Sequence, residues 1–326
     1  MKAKTPTYAT DSEELPVADV FGVDAPKSVK CRVQKTNHPN VPEVDPEYHF
    51  NKDHLRVILR WLQPRAGDRL QNEGLYLTGP TGAGKSSIIE QVCARLGIPV
   101  QSVIGHERME TPELIGRPTL IGGDTLWIDG PMTTSAREGH VFLLDEIDVV
   151  HPATASGFNT VLDRRPLSIP ENNEVVEIDD NFRFAATANT NGGGDLTGLY
   201  QGTLQQNAAL MDRFIMLECD YLPHQTEKAI LLKKVPGLGS DLAGKLVKVA
   251  NEVRKLHQAD DPDAENVEVT FSTRTLIRWA SLAQTFKQPL GGEKALEVSL
   301  DQSLGNRAMP ESREAIQGVR KRILGG

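Results

Sequence analysis

The residues Gly79-Pro80-Thr81-Gly82-Ala83-Gly84-Lys85-Ser86, followed by Ser87, satisfy the pattern GxxxxGK[ST] at every position. Each residue type suits a polyphosphate. Gly79, Gly82 and Gly84 let the backbone wrap close to phosphate oxygens and aim N–H groups at them. Lys85 sets an ammonium against the β- and γ-phosphates, and Ser86 offers a hydroxyl to Mg2+. A helix starting here presents its positive end to the anion. A chance match in a glycine-rich turn is the alternative, and the flanks speak against it. An apolar run, Gly74 to Thr78, precedes the loop, and a stretch of helical period, Ser86 to Leu96, follows it.

Four further positions fit a phosphoryl-transfer site. Val141-Phe142-Leu143-Leu144 is a continuous apolar run that suits a central parallel strand, and it delivers Asp145 and Glu146 at its end. Carboxylates suit Mg2+, which prefers hard oxygen ligands, so Asp145 is the expected metal residue beside Ser86. Glu146 is expected to orient and polarise a water. Ala186-Thr187-Ala188-Asn189 reads as a strand ending in an amide able to bond a γ-phosphate or that water. Arg213 is a candidate arginine finger, supplied in a ring to the neighbouring subunit, and Arg274 a candidate γ-phosphate sensor in cis. For a lone Arg the default reading is a surface ion pair, and for two acids it is a helix cap; the order along the chain favours function.

The elements that must carry these groups follow from local pattern. Asp53 to Gln63 reads as a mostly buried helix ended by Pro64 and Gly67. Gly97 sits at a helix C-cap position. Pro99 to Ile104 and Phe182 to Ala188 read as strands, and Gly116–Gly130 and Arg165–Asp180 as hairpins. From about Pro223 the pattern turns helical. The expected fold is therefore α/β: a three-layer αβα sandwich on a parallel sheet, then a small α-helical lid. The expected divisions are a partly flexible arm with little structure of its own and one docking segment (1–45), the nucleotide-binding domain with two β-hairpin insertions (46–222) and the lid with C-terminal helices (223–326).

Bulk properties bound the function. The chain has 326 residues, 39% hydrophobic and 25% charged, with a net charge of −8. An acidic chain is not built for broad phosphate-backbone contact, so nucleic acid is not an expected partner. Three cysteines, Cys31, Cys93 and Cys219, form no CxxC pair and fit a reducing cytoplasm. No window reaches the ~18 apolar residues of a membrane span. His106-Glu107-Arg108-Met109-Glu110 lacks the second His of a zinc-protease helix, and the eight histidines show no ligand spacing. Asp260 to Glu265 lacks the Gly and terminal Glu of a calcium loop. Leu126 and Trp127 are placed near the tip of the first hairpin, where ordinary packing is the leading expectation.

The order phosphate loop, Asp-Glu, Asn, Arg and then a helical region with a second Arg resembles the AAA+ ATPases, specifically the MoxR-type branch, which also carries two hairpin insertions. Pro42 to Phe50, the run Gly194-Asp195-Leu196-Thr197-Gly198-Leu199-Tyr200-Gln201-Gly202-Thr203, and Tyr221 to His224 are most similar to the ATPase subunit of aerobic cobaltochelatases. The resemblance implies ATP and Mg2+ as cofactors, with Lys85, Ser86, Asp145 and Glu146 on the nucleotide and metal. It implies Asn189 as sensor 1, Arg213 as finger and Arg274 as sensor 2. It further implies a hexameric ring, a partner with a von Willebrand A-type domain and a large corrin-binding subunit. The roles it leaves open are a metal-insertion motor, a MoxR-type chaperone or activase with another client, and a nucleotide-gated scaffold with little turnover.

Overall fold

The computed structural model describes residues 11–64, 72–195, 200, 202–257 and 267–325. Met1 to Thr10 of the arm, Gly67, Leu196 to Leu199, Gln201 and the Asp260–Glu265 stretch lie outside the described residues. Two compact units emerge: Met1–Gly79 with Gly84–Cys219, and Pro80–Ala83 with Asp220–Gly326.

The strands of the first unit are, in chain order, β1 (Asp11–Pro16), β2 (Lys30–Lys35), β3 (Gly74–Thr78), β4 (Val100–Ile104), β5 (Gly116–Ile121), β6 (Asp124–Asp129), β7 (Val141–Asp145), β8 (Leu167–Ile169), β9 (Glu174–Val176), β10 (Arg183–Ala188) and β11 (Phe214–Glu218). Five form one parallel sheet in the order β11-β3-β10-β7-β4. Every residue of β10 is buried, as are the first four of β3 and of β7. Such burial on both faces explains their uninterrupted apolar runs. Tyr76, Phe142, Leu144, Phe184 and Ala186 share the main core cluster. Each large apolar side chain buried there contributes about 1.5–3 kcal/mol.

Arg183, at the start of β10, is buried and meets no carboxylate at bonding distance among the described residues. It donates Nε to Trp61 O at 2.8 Å and a terminal nitrogen to Leu62 O at 3.3 Å, satisfying carbonyls that the helix Lys52–Leu62 leaves open at its C-terminus. Burial draws its pKa down to about 10, so it stays charged at neutral pH.

The arm carries two strands. β1 and β2 pair antiparallel, with Leu15 opposite Cys31. The Gln63 amide bonds both N (2.8 Å) and O (2.6 Å) of Arg32. The first four residues of β1 are exposed, so no alternation of apolar residues announces it; backbone pairing carries the strand. The two expected hairpins form as β5–β6 and β8–β9. In the first, Gly122 and Gly123 make the turn with φ of 63° and 96°. Trp127 is not at the tip. It lies opposite Pro118, donates Nε1–H to Asp129 at 2.8 Å and packs against the core, while Leu120 and Ile121 are exposed at the tip.

Histidines without ligand spacing in sequence meet in space. His38, Glu138 and His140 offer atoms all within 4.8 Å of one another. The Asn40 N–H donates to His38 Nδ1 at 3.1 Å, which puts the His38 proton on Nε2, toward Glu138. That tautomer disfavours a metal on His38 Nε2, which would need the proton on Nδ1, and Glu138 lies 4.0 Å from His38 Nε2 and 3.4 Å from His140 Nε2. Burial pushes the His140 imidazole down to about 4, assisted by His38 and opposed by Asp179.

The second unit is helical: His224–Lys234, Ser240–His257, Thr273–Leu290, Gly292–Ser303 and Pro310–Leu324. Leu246, Val253, Phe271, Trp279, Leu300 and Ile316 fill its core. Within that core Glu227, fully buried, takes two bonds from Arg254 at 2.7 and 2.8 Å and a third from Thr273 Oγ1 at 2.6 Å. Arg254 also stacks on Tyr221 at 4.0 Å, and the Tyr221 hydroxyl donates to Thr81 O at 3.2 Å.

Removing one partner of this pair strands the other charge. Arg254→Met should therefore lower unfolding free energy by about 3–5 kcal/mol, and Arg254→Met with Glu227→Leu should recover much of it in urea denaturation. The second expectation concerns pH. His140 in the folded chain titrates at about 4, below its ordinary 6.5, so between those values only the unfolded chain binds the proton. Thermal stability should be full above 6.5 and fall as pH drops toward 4, with His140→Asn giving a flatter melting-temperature profile.

Candidate active site

The loop between β3 and the helix Lys85–Leu96 requires glycine where the sequence places it. Gly79 has φ 146°, and a Cβ there would sit 1.8 Å from Cys219 O. Gly84, at φ 89°, is the N-cap of the helix, and no side chain caps it. A helix end with no side-chain acceptor directs its N–H groups and partial positive charge to whatever anion the loop encloses.

The register of the sheet sets the remaining groups. Ala188 pairs with Thr78, and Ala186 with Leu144. The carboxyl ends of β3, β10 and β7 are thus neighbours, the usual ligand position in open α/β sheets. Lys85 Nζ donates to Asn189 Oδ1 at 3.0 Å and to Gly79 O at 2.7 Å. Ser86 Oγ donates to Asp145 Oδ1 at 2.5 Å, and Thr187 Oγ1 donates to the same oxygen at 2.8 Å. A hydroxyl and a carboxylate in such contact form a hard-oxygen pair of the kind Mg2+ takes, so the residues present fit the metal. Glu146 follows in the left-handed region, φ 59° and ψ 44°, and its N–H donates to Thr187 Oγ1 at 3.3 Å. A non-glycine residue held there is strained backbone of a kind that gathers at functional sites.

Lys85 is 8% exposed. Burial lowers its pKa, and the fields of Asp148, Asp145 and Glu146 oppose the shift. Glu90, on the same helix, is raised by burial and then by Asp145. The segment Pro42 to Phe50 packs on this helix. Asp45 N donates to Gln91 at 2.8 Å, Arg95 donates to Asp45 O at 2.6 Å, and the Arg95 guanidinium lies 4.8 Å from the Phe50 ring centroid.

Lys85, Ser86, Asp145 and Asn189 are brought together, with Glu146 directly after Asp145. Arg213 is elsewhere in the same unit: it bonds Asp163 at 2.6 and 3.1 Å and the carbonyl of Ala209. Arg274 is exposed in the first turn of Thr273–Leu290, whose N-cap Ser272 accepts from Thr275 N at 3.1 Å. Two site residues escaped the sequence reading, Thr187 and Asp148. A hydroxyl inside the otherwise apolar Phe184–Ala188 run was the available signal for the first. A third acid soon after Asp145-Glu146 was the signal for the second.

Comparison with known proteins agrees with this geometry. Residues 74–214 match the AAA domain (dynein-related subfamily), and residues 227–323 match the CbbQ/NirQ/NorQ C-terminal family. The chain is 32% identical over 282 residues to the aerobic cobaltochelatase subunit CobS of a Sinorhizobium species, covering 83% of this chain and 81% of that one. It is 31% identical to protein NorQ of Paracoccus denitrificans, covering 77% and 86%. With the denitrification regulatory protein NirQ of Pseudomonas aeruginosa the identity is 33%, covering 73% and 86%. A Thermotoga maritima RuvB variant shares the fold at a TM-score of 0.50 and 13% identity, covering 84% of this chain and 76% of that one. Among the described residues no helix is long and apolar enough to cross a membrane. The chain belongs to the MoxR-type AAA+ ATPases, enzymes that use ATP with Mg2+, and is related to CobS, NorQ and NirQ.

Proposed function

We propose that this ATPase is the ring-forming motor of a remodelling complex, most similar in role to the motor of a cobaltochelatase-like metal-insertion machine. The observation that carries the motor reading is the convergence of Ser86 and Thr187 on Asp145 Oδ1, beside the Lys85–Asn189 contact. Gly79 to Ser87 hold the polyphosphate. Ser86 and Asp145 would hold Mg2+, which would offset the charge of the polyphosphate. Glu146, fixed in its left-handed turn, orients and polarises water, and Asn189 reads the γ-phosphate end of the site. Most of the rate enhancement then comes from positioning and preset charge.

Arg213 is assigned as a finger acting on a neighbouring protomer. Its partners among the described residues, Asp163 and Ala209, are not members of the Lys85 cluster. An arginine preset by its own subunit and 29% exposed suits delivery in trans. Arg274 is assigned as the cis sensor from its place in the first turn of its helix. A ring fits that division of labour, and the family resemblance implies a hexamer with a von Willebrand A-type partner and a large corrin-binding subunit as associated components.

A second reading has its own support. The match of residues 227–323 to the CbbQ/NirQ/NorQ C-terminal family favours a MoxR-type activase acting on another protein client. Affinity purification of the full chain from its host separates the two. A corrin-binding large subunit in the eluate supports the chelatase motor; an adhesion-type protein with an unrelated client supports the activase.

Two kinetic outcomes are expected. Glu146→Gln should lower kcat by about 10²–10⁴-fold with ATP affinity kept, measured by steady-state hydrolysis and equilibrium binding. Remodelling that continues undiminished in that variant would instead favour a nucleotide-gated scaffold. Arg213→Ala should lose roughly 10³-fold or more in kcat. Mixing it with Glu146→Gln protomers should restore part of the activity, and no recovery at any ratio would exclude a finger in trans.

A further inference from the structure

We propose that Asp148 is a positioning residue for ATP hydrolysis: its carboxylate fixes the turn that carries Asn189, and through it the amide that meets Lys85. The proposal rests on the assignment of Asn189 above.

Asp148 lies in the short 3-10 turn Ile147–Val149, directly after the strained Glu146. It is fully buried. One carboxylate oxygen, Oδ2, takes three donors: Asn189 N at 2.9 Å, Thr190 N at 3.0 Å and Thr190 Oγ1 at 3.1 Å. The other oxygen, Oδ1, has no hydrogen-bond partner among the described residues. Thr190 is held from a second side, because the Tyr76 hydroxyl, on β3, donates to Thr190 O at 3.1 Å. Asn189 Oδ1 in turn accepts from Lys85. One path of contacts therefore runs from the turn after the acidic pair, through the backbone of Asn189, to the loop lysine.

The chemistry of the position is unusual for a mere cap. Burying a carboxylate is costly, and a neutral side chain could serve a turn at lower cost. Hydrogen bonds to an ionised acceptor are roughly twice as strong as neutral ones, so the charge stiffens the Asn189–Thr190 turn beyond what an amide would. An Asn at 148 would keep the shape, but it would offer the three donors a neutral carbonyl and bury its own NH2 where Oδ1 now has no partner.

Four forms of the full chain test this with Mg2+ present: wild type, Asp148→Asn, Asn189→Ala and the double variant. Measured are steady-state kcat and KM for ATP, equilibrium affinity for ADP and melting temperature. ADP carries no γ-phosphate and reports the loop alone. The expected result for Asp148→Asn is a kcat loss on the order of 10²-fold, the size of effect that follows ångström-scale misplacement, with KM and ADP affinity near wild type. The double variant should be no slower than Asn189→Ala. A crippled Asn189→Ala beside an Asp148→Asn that turns over normally overturns this proposal alone, as does a double variant whose losses multiply. Full turnover by Asn189→Ala overturns the Asn189 assignment and this proposal with it. If Asp148→Asn does not fold, Thr190→Val, which removes only the Oγ1 donor, serves instead. A reduced kcat with ADP affinity kept supports the proposal, and an unchanged kcat overturns it.

Discussion

β10 lies between β3 and β7, hydrogen-bonded in parallel to both, and the site depends on that insertion. Adjacent strands are about 4.8 Å apart, so three neighbouring strands bring their ends within side-chain reach of one another. Without β10 between them, the loop after β3 and the acids after β7 would lack the Asn189 amide and the Thr187 hydroxyl. With it, Thr187 reaches sideways to Asp145 and Asn189 reaches the other way to Lys85. The complete burial of β10 makes this arrangement stiff, since a register slip would break two ladders and misplace Arg183 and Thr187.

The electrostatics follow from the same crowding. Burial lowers the pKa of Lys85, and the fields of the neighbouring Asp148, Asp145 and Glu146 oppose that shift. Glu90 is raised for the matching reason, being half-buried and near Asp145. A site with this surplus of acid around one lysine suits a divalent cation and a polyphosphate together. Arg183 and the Glu227–Arg254 pair show how differently charge is used away from the chemistry. There a guanidinium is spent on backbone carbonyls or on one carboxylate, and the result is fixed packing.

Much of this was legible in sequence, for physical reasons that can be named. Strands buried on both faces are largely apolar, so β3, β7 and β10 announce themselves, as do the glycines of the loop and the Gly97 C-cap. Elements held by backbone pairing on a polar surface do not, and β1 was accordingly hidden in a region expected to be an arm. Local pattern puts Trp127 near the hairpin tip, but Gly122-Gly123 makes the turn and Trp127, opposite Pro118, lies back toward the core. His38 and His140 are far apart in sequence and share a cluster only because the fold brings them together.

The sequence by itself determined which chemistry was available: glycines, a lysine and a hydroxyl for phosphate, an acid pair for metal and water, and an amide at a strand end. Those are properties of residue type and short spacing, and local rules suffice to read them. Only the tertiary structure decided which groups touch. The strand order, which inserts β10 between β3 and β7, is set by long-range burial that no local pattern encodes. That order is what puts Ser86 and Thr187 on one oxygen of Asp145, and Asp148 beneath Asn189.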